Sequence, residues 1–368
     1  MSDAVILEPH DSDWAAQAER IKTQLLGTLG ASGLGGAIWA THHIGSTAII
    51  GIRAKPVLDI CLEVYPDLLN ESQIAALEGL GYMYNGEAGI AGRQFFKDDP
   101  RTVHLHVYKL DSLEAVQHKL FRDYLNAHPD HASRYDALKL ELAARYQHDR
   151  EAYTLGKHGF ITETLELAQT WWLEEIAFQP VQRVAAEFTG ADFEWFVGAG
   201  WALDAWLERV GRVHHDVDVI VWRDQQRQLW SWLVARDWTL YAVQNGVYSP
   251  WQSGQTLELP IHQLHAQRGA ERLEVLFAER DATRWLYRRD PRVSRELSRA
   301  TFETAFGFDA LAPEIALLFK SKSVGGASRS KDQTDFERSV TRLRPEAKGW
   351  LRDALLVTDP RHPWLMLL

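Results

Sequence analysis

The chain has 368 residues and a mass of 42.0 kDa, with 40 Lys and Arg against 50 Asp and Glu, a formal net charge of −10. At roughly 150 residues per domain this length gives two to three domains, and a composition of 46% hydrophobic and 24% charged residues excludes a disordered chain. The acidic surplus excludes a general nucleic-acid wrapper, which needs excess Lys and Arg; it suits a cationic small molecule, or merely solubility. The first residues, MSDAVILEPHDSDW, lack the basic and apolar regions of a signal peptide, and no run approaches the ~20 apolar residues of a membrane span. A cytoplasmic protein is expected. Cys61, the single cysteine, permits neither a disulfide framework nor a thiolate metal cluster and reads as a small buried hydrophobe.

From the N-terminus, residues 13–26 read as an amphipathic helix, Gly27 to Gly36 as a glycine-rich loop, and 38–44, 57–65 and 103–108 as short strands. Residues 111–177 read as helices, broken at His128-Pro129, with Asp130 placed to cap the next helix. All of the fifteen tryptophans except Trp14 and Trp39 lie from Trp171 onward, which argues for two units of different history. In the second half, 193–197, 217–222 and 272–277 read as strands and 201–209 and 225–235 as helices. Beyond Pro291 the pattern is mainly helical, with candidates at 313–322, 332–343 and 345–356. The expected domains are 1–172, a helical linker 173–185, and 186–368, the last with a core to about 288 and a helical part after it. Each half carries a glycine at a strand end followed by an aspartate on an apolar strand, Gly45 then Asp59 and Gly200 then Asp216, as though one fold were used twice.

The sharpest motif is His215-Asp216-Val217-Asp218-Val219. Alternation along a strand sends Asp216 and Asp218 to one face. Two carboxylates so close repel, and a hard divalent cation such as Mg²⁺ resolves the conflict, with substrate phosphates as further ligands. Gly198 and Gly200 stand between a strand and the helix starting at Trp201, where backbone N–H groups and the lack of a side chain favour a phosphate. Glu274 in RLEVLF can complete the metal site or take a proton from an attacking hydroxyl, with Glu258 as a rival. Metal, cradle and base describe nucleotidyl transfer, in which a hydroxyl attacks the α-phosphorus of a nucleoside triphosphate.

GAGWALDAWLERVGRVHHDVDV, with LEVLF, LAPEIALLFKSK and KDQTDFE, resembles the aminoglycoside-type adenylyltransferases of the nucleotidyltransferase superfamily over nearly all of 186–368. The resemblance implies metal binding by Asp216 and Asp218, Glu274 as third carboxylate, two Mg²⁺ ions, and ATP as co-substrate. It places the triphosphate at Gly198, Gly200 and Trp201, with Arg212 and Lys320 contacting phosphates. The family's paired glycines before the tryptophan read Ala199-Gly200 here.

In the first half, HIGSTAIIGIRAKPVLDI with RTVHLHVY, FRDYLNAHP and Lys157…Phe160-Ile161 resembles the GrpB-like family, also of nucleotidyltransferase fold, over about residues 4–170. Gly45-Ser46 would be the phosphate turn and Asp59 the first carboxylate, but Cys61 stands where a second acid is needed. The third strand offers His104 and His106 on one face. Asp59, His104 and His106 form a metal site, a binding pocket without catalysis, or two satisfied histidines on a half-buried strand. Lys55, Arg93 and Arg101 are candidate anion contacts.

The expected fold is thus α/β (α+β): two nucleotidyltransferase-type domains in tandem, each a small mixed sheet with helices and a helical C-terminal part. The expected function is a Mg²⁺-dependent transfer of AMP from ATP to a hydroxyl of a small cationic, sugar-like acceptor, with the first half binding or scaffolding. A catalytically silent nucleotide or metabolite binder, and adenylylation of a protein target, are the alternatives.

Overall fold

The computed structural model describes residues 4–31, 38–64, 67–100, 102–110, 112–214, 216–244, 247–269, 271–322 and 330–368. The chain divides into two compact units, Met1–Trp172 and Leu173–Leu368. Each is a mixed α/β body with its own sheet. No described helix is long and apolar enough to cross a membrane.

The first unit opens with helix α1 (Asp13–Ala31). The helix does not stop at residue 26. It runs on through Gly27, while residues 32–37 of the expected glycine loop lie outside the described residues. A glycine costs a helix interior only about 1 kcal/mol, and Ala18, Ile21, Leu25 and Leu26 hold this one against the core. Strands β1 (Ile38–Ile44) and β2 (Leu58–Val64) follow, then α2 (Glu71–Gly79), β3 (Met83–Tyr84), β4 (Gln94–Lys97) and β5 (Val103–Lys109). They form a five-stranded sheet in the order β1-β2-β5-β4-β3. β2 runs antiparallel to β1 and parallel to β5. Ile60, Leu62 and Val64 of β2 and Val103, Leu105 and Val107 of β5 enter one apolar cluster with α1. The alternate residues, Asp59 and Glu63 on β2 and His104 and His106 on β5, therefore take the opposite face. Cys61 is buried.

Four helices complete this unit: α3 (Leu113–Ala127), α4 (Pro129–Arg145), α5 (Arg150–Leu155) and α6 (His158–Trp171). Ser112 caps α3 by accepting from Ala115 N–H. His128 ends α3 and starts α4, where Pro129 fills a position that needs no N–H donor. Asp130 is not the cap; it sits in the first turn, where its charge meets the positive end of the helix.

In the second unit, α7 (Gln179–Glu187) follows a π-helical turn at Trp172–Ile176. Then come β6 (Trp195–Val197), α8 (Ala199–Leu207), β7 (Asp218–Trp222), α9 (Gln226–Val234), β8 (Thr239–Gln244), β9 (Val247–Pro250), β10 (Gln263–Arg268) and β11 (Glu271–Arg280). The chain after Pro291 is not helical at once. Strands β12 (Arg284–Leu286), β13 (Ser294–Glu296), β14 (Thr301–Glu303) and β15 (Asp309–Leu311) come before α10 (Pro313–Lys320), α11 (Ser330–Val340) and α12 (Pro345–Thr358). Strands of three residues span barely one side-chain alternation, so periodicity cannot reveal them.

Eight of these strands lie in the order β14-β15-β6-β7-β11-β10-β8-β9, with β12 and β13 attached through β11. β7 is antiparallel to β6 and parallel to β11, the same arrangement that β2 has with β1 and β5. Val219 and Val221 pack with Leu273, Val275 and Phe277 and with Leu229 and Leu233 of α9. Trp285 is fully buried, and Trp230 and Trp232 pack on the edge of the main cluster, so these tryptophans are core residues.

Candidate active site

The second unit gathers its polar side chains on the sheet face opposite that cluster. Asp218 is in register with Glu274 across the parallel β7–β11 pair. Glu274 is in register with His265, and His265 with Tyr241. Register partners share a face, so four strands present the row Asp218, Glu274, His265, Tyr241. Gln263 Nε2 donates to Glu274 Oε1 (2.7 Å) and lies 3.1 Å from His265 Nε2, which therefore accepts. Burial, aided by the Arg272 charge, lowers the His265 pKa to about 3, so this histidine is neutral. Sequence reasoning does not single out Gln263 and His265, although the alternation Gln263-Leu264-His265-Ala266 carries the signal.

The glycine turn lies beside this row. Gly198 is the N-cap of α8, without a side-chain cap, and its N–H donates to the Asp218 carbonyl (2.8 Å). A Cβ on Gly198 would press on Ile220 Cδ1 at 2.6 Å and stand 3.6 Å from Asp218 Cβ. Asp216 precedes β7, so the two aspartates do not share one regular strand. Trp201 Nε1 donates to the Asp216 carbonyl (2.7 Å), and its ring stacks on His214 (4.2 Å). His214 Nε2 is in turn 2.6 Å from Asp204 Oδ2. Trp201 is buried and anchors the backbone at Asp216, which is a different task from the expected nucleotide contact. Glycine at 200 is required by packing, because a Cβ there would meet Arg212 Nη2 and His214 Cε1, each at 2.5 Å.

Two expected phosphate ligands are engaged elsewhere. Lys320 is buried and bridges Asp332 (3.0 Å) and Asp335 (2.8 Å) of α11. Arg212 is 3.5 Å from Asp335 and donates to the Val213 carbonyl (3.2 Å). Arg338 joins this network through Asp204 and Asp335. His215 of the motif lies outside the described residues.

The first unit builds its cluster on the same plan with other donors. Asp59 is in register with His104. Asp59 Oδ1 lies 3.1 Å from His104 Nδ1 and 3.1 Å from His106 Nε2. Burial pushes the Asp59 carboxyl up, but hydrogen bonds from both imidazoles overcome it and hold the group well below the usual carboxylate range. Gly45 (φ 72°) passes directly over Asp59, whose Cβ would be 3.0 Å from any Cβ placed there. The left-handed backbone and the close approach both demand glycine. Ser46 opens the next turn and shares a hydrogen bond with Tyr135. Arg93 is buried, its Nη1 3.3 Å from His106 Nδ1. Lys55 and Lys157 lie over the Tyr153 ring at 4.9 and 4.6 Å. Arg101 lies outside the described residues. Among the described residues, Asp59, His104 and His106 are the grouping whose ligand atoms all fall within 4.8 Å of one another.

Known proteins resemble the two units separately. The GrpB protein family profile matches residues 4–167, and the aminoglycoside-2''-adenylyltransferase profile matches residues 180–337. The glutamate-rich protein GrpB of Alkalihalophilus pseudofirmus is 33% identical over 171 residues, covering 44% of this chain and 94% of that protein. YqkA of Bacillus subtilis is 40% identical over 139 residues, 37% of this chain, and the chain spans only 40% of YqkA's length. A solved structure of ANT(2'')-Ia in complex with adenylyl-2''-tobramycin is 15% identical, covering 48% of this chain and 96% of that one, at a TM-score of 0.35.

Proposed function

The chain belongs to the GrpB family through residues 4–167, and on that premise, together with the acid row of its second unit, we propose that it is a two-unit nucleotidyltransferase whose second unit transfers AMP from ATP to a hydroxyl of a small cationic, sugar-like acceptor. The observation that carries this reading is the register of Asp218 with Glu274 beside the uncapped N-terminus of α8. The profile match at residues 180–337 supports the reaction class.

Asp218 and Glu274 are half-buried oxygen donors on adjacent strands, a donor set that fits Mg²⁺. Asp216 and Asp218 would hold the ions, two by the family resemblance; when bound, Mg²⁺ neutralises charge on the phosphates. The α8 N-terminus, with Gly198 close to Asp218, receives the triphosphate through backbone N–H groups. Lys320 takes no part, because Asp332 and Asp335 already hold it. Glu274, positioned by Gln263, accepts the proton of the acceptor hydroxyl. The oxygen so released forms a bond to the α-phosphorus. The bond from that phosphorus to the α–β bridging oxygen breaks, and pyrophosphate leaves with the electron pair. The first unit serves as a binding domain.

The test is incubation of the full chain with Mg²⁺, each of the four nucleoside triphosphates and a panel of amino-sugar acceptors, read by mass spectrometry. An acceptor heavier by one adenylyl group is expected with ATP. Nucleotide-induced thermal stabilisation with every acceptor left unmodified would instead make the protein a silent binder.

A further inference from the structure

The trio Asp59, His104 and His106 belongs to no step of that reaction. We propose that it is a binding site for a borderline divalent transition ion, represented by Zn²⁺, distinct in chemistry from the Mg²⁺ site of the second unit. Two imidazoles and one carboxylate suit zinc and its neighbours, whereas Mg²⁺ prefers oxygen donors throughout.

The geometry follows from the strand register. Asp59 stands directly beside His104, so the nearer ring nitrogen, Nδ1, reaches it at 3.1 Å. His106 lies two residues on, roughly 6.6 Å along the strand. It therefore reaches back with the farther nitrogen, Nε2, also at 3.1 Å. Ligands held about 2.1 Å from one ion stand about 3.0 Å apart at a right angle and about 3.4 Å apart at the tetrahedral angle. Both carboxylate-to-imidazole spacings are thus already those of ion ligands, all three ligand atoms lie within 4.8 Å of one another, and three ligands leave a position open for water or an anion. Phe95 packs its ring against both imidazoles (centroids 5.1 and 5.2 Å) and fixes their planes. His104 remains partly exposed, which leaves an entry path.

One group competes. Arg93 Nη1 faces His106 Nδ1 at 3.3 Å, and a guanidinium only donates. In the ion-free protein Nδ1 therefore accepts, and Nε2 carries the hydrogen that bonds Asp59. Zinc takes Nε2 when that proton moves, through water, to Nδ1 and the guanidinium turns aside. His104 likewise frees Nδ1 for the ion when its hydrogen leaves that nitrogen. Arg93 holds the site closed against weakly binding ions.

Calorimetric titration of Zn²⁺ into the chelator-stripped full chain tests this. One saturable site per chain is expected, and none for Mg²⁺ without nucleotide. His104→Ala and Asp59→Asn should each weaken zinc by about tenfold or more, with circular dichroism confirming that both variants fold. Co²⁺ in place of zinc should give a visible absorption band that His104→Ala abolishes. Arg93→Met, which keeps the apolar stem, should bind zinc more tightly; equal or weaker binding overturns the tautomer assigned to His106. Absence of saturable zinc binding by the unaltered chain, or undiminished binding in both His104→Ala and Asp59→Asn, overturns the proposal.

Discussion

Ala199 begins α8 with a backbone φ of 48°, in the left-handed region that a side chain resists. Here lies the physical reason for a paired glycine at this turn: the backbone itself, beside any room a phosphate needs. Ala199→Gly should raise the stability of the second unit by about 1 kcal/mol in chemical denaturation; a loss of stability would refute the strain. His265 makes a second residue-scale prediction. Its folded pKa is about 3 against an ordinary 6.5, from burial first and Arg272 second. Between those values the unfolded chain binds a proton that the folded chain does not. Stability attributable to this group is therefore intact above pH 6.5 and falls as pH drops, by up to about 1.4 kcal/mol per pH unit. His265→Gln should flatten that part of the pH profile, read by denaturation at a series of pH values.

At the scale of elements, helices α10 and α11 are joined by charge. Lys320 is buried against Asp332 and Asp335, and Arg338 reaches Asp335 and Asp204. The spacing of Asp332, Asp335 and Arg338 puts all three on one face of α11. Lys320→Met leaves two buried aspartates short of a cation and should destabilise the second unit by about 3 kcal/mol, measured by thermal and chemical unfolding. A Lys320→Met protein as stable as the parent would show the network to be incidental. The family resemblance puts Lys320 at the phosphates, and the helical pattern does not correct it, because a lysine ending an apolar helix looks the same whether its head meets substrate, solvent or a buried acid. That distinction depends on how α11 folds back on α10, which the helical pattern of either segment alone does not state. What alternation can reveal, it does: His104 with His106 on one face of β5, and Asp218 opposite Val219, are readable from a period of two. Register between strands is not readable, so the adjacency of Asp218 and Glu274 and the presence of His265 and Gln263 come only from pairing. The strands between residues 284 and 311 are too short to show a period, and α1 runs on past Gly27 and Gly30 because packing outweighs two helical glycines.

At the scale of the whole molecule, two units repeat one three-strand plan with different chemistry at the equivalent face: carboxylate with imidazoles in one, carboxylates in the other. The net charge of −10 adds a long-range attraction for a cationic acceptor. Raising ionic strength toward 1 M shrinks the screening length from about 10 Å to about 3 Å. KM for a polycationic acceptor should rise accordingly, while an uncharged analogue's should not. An equal response of both would rule out charge steering.

The decisive experiment is pyrophosphate release from Mg·ATP with a reactive amino-sugar acceptor, compared among the unaltered chain, Asp218→Asn and His104→Ala. A fall in kcat of about a hundredfold or more is expected for Asp218→Asn, with kcat unchanged for His104→Ala. Normal turnover by Asp218→Asn would contradict the proposed reaction.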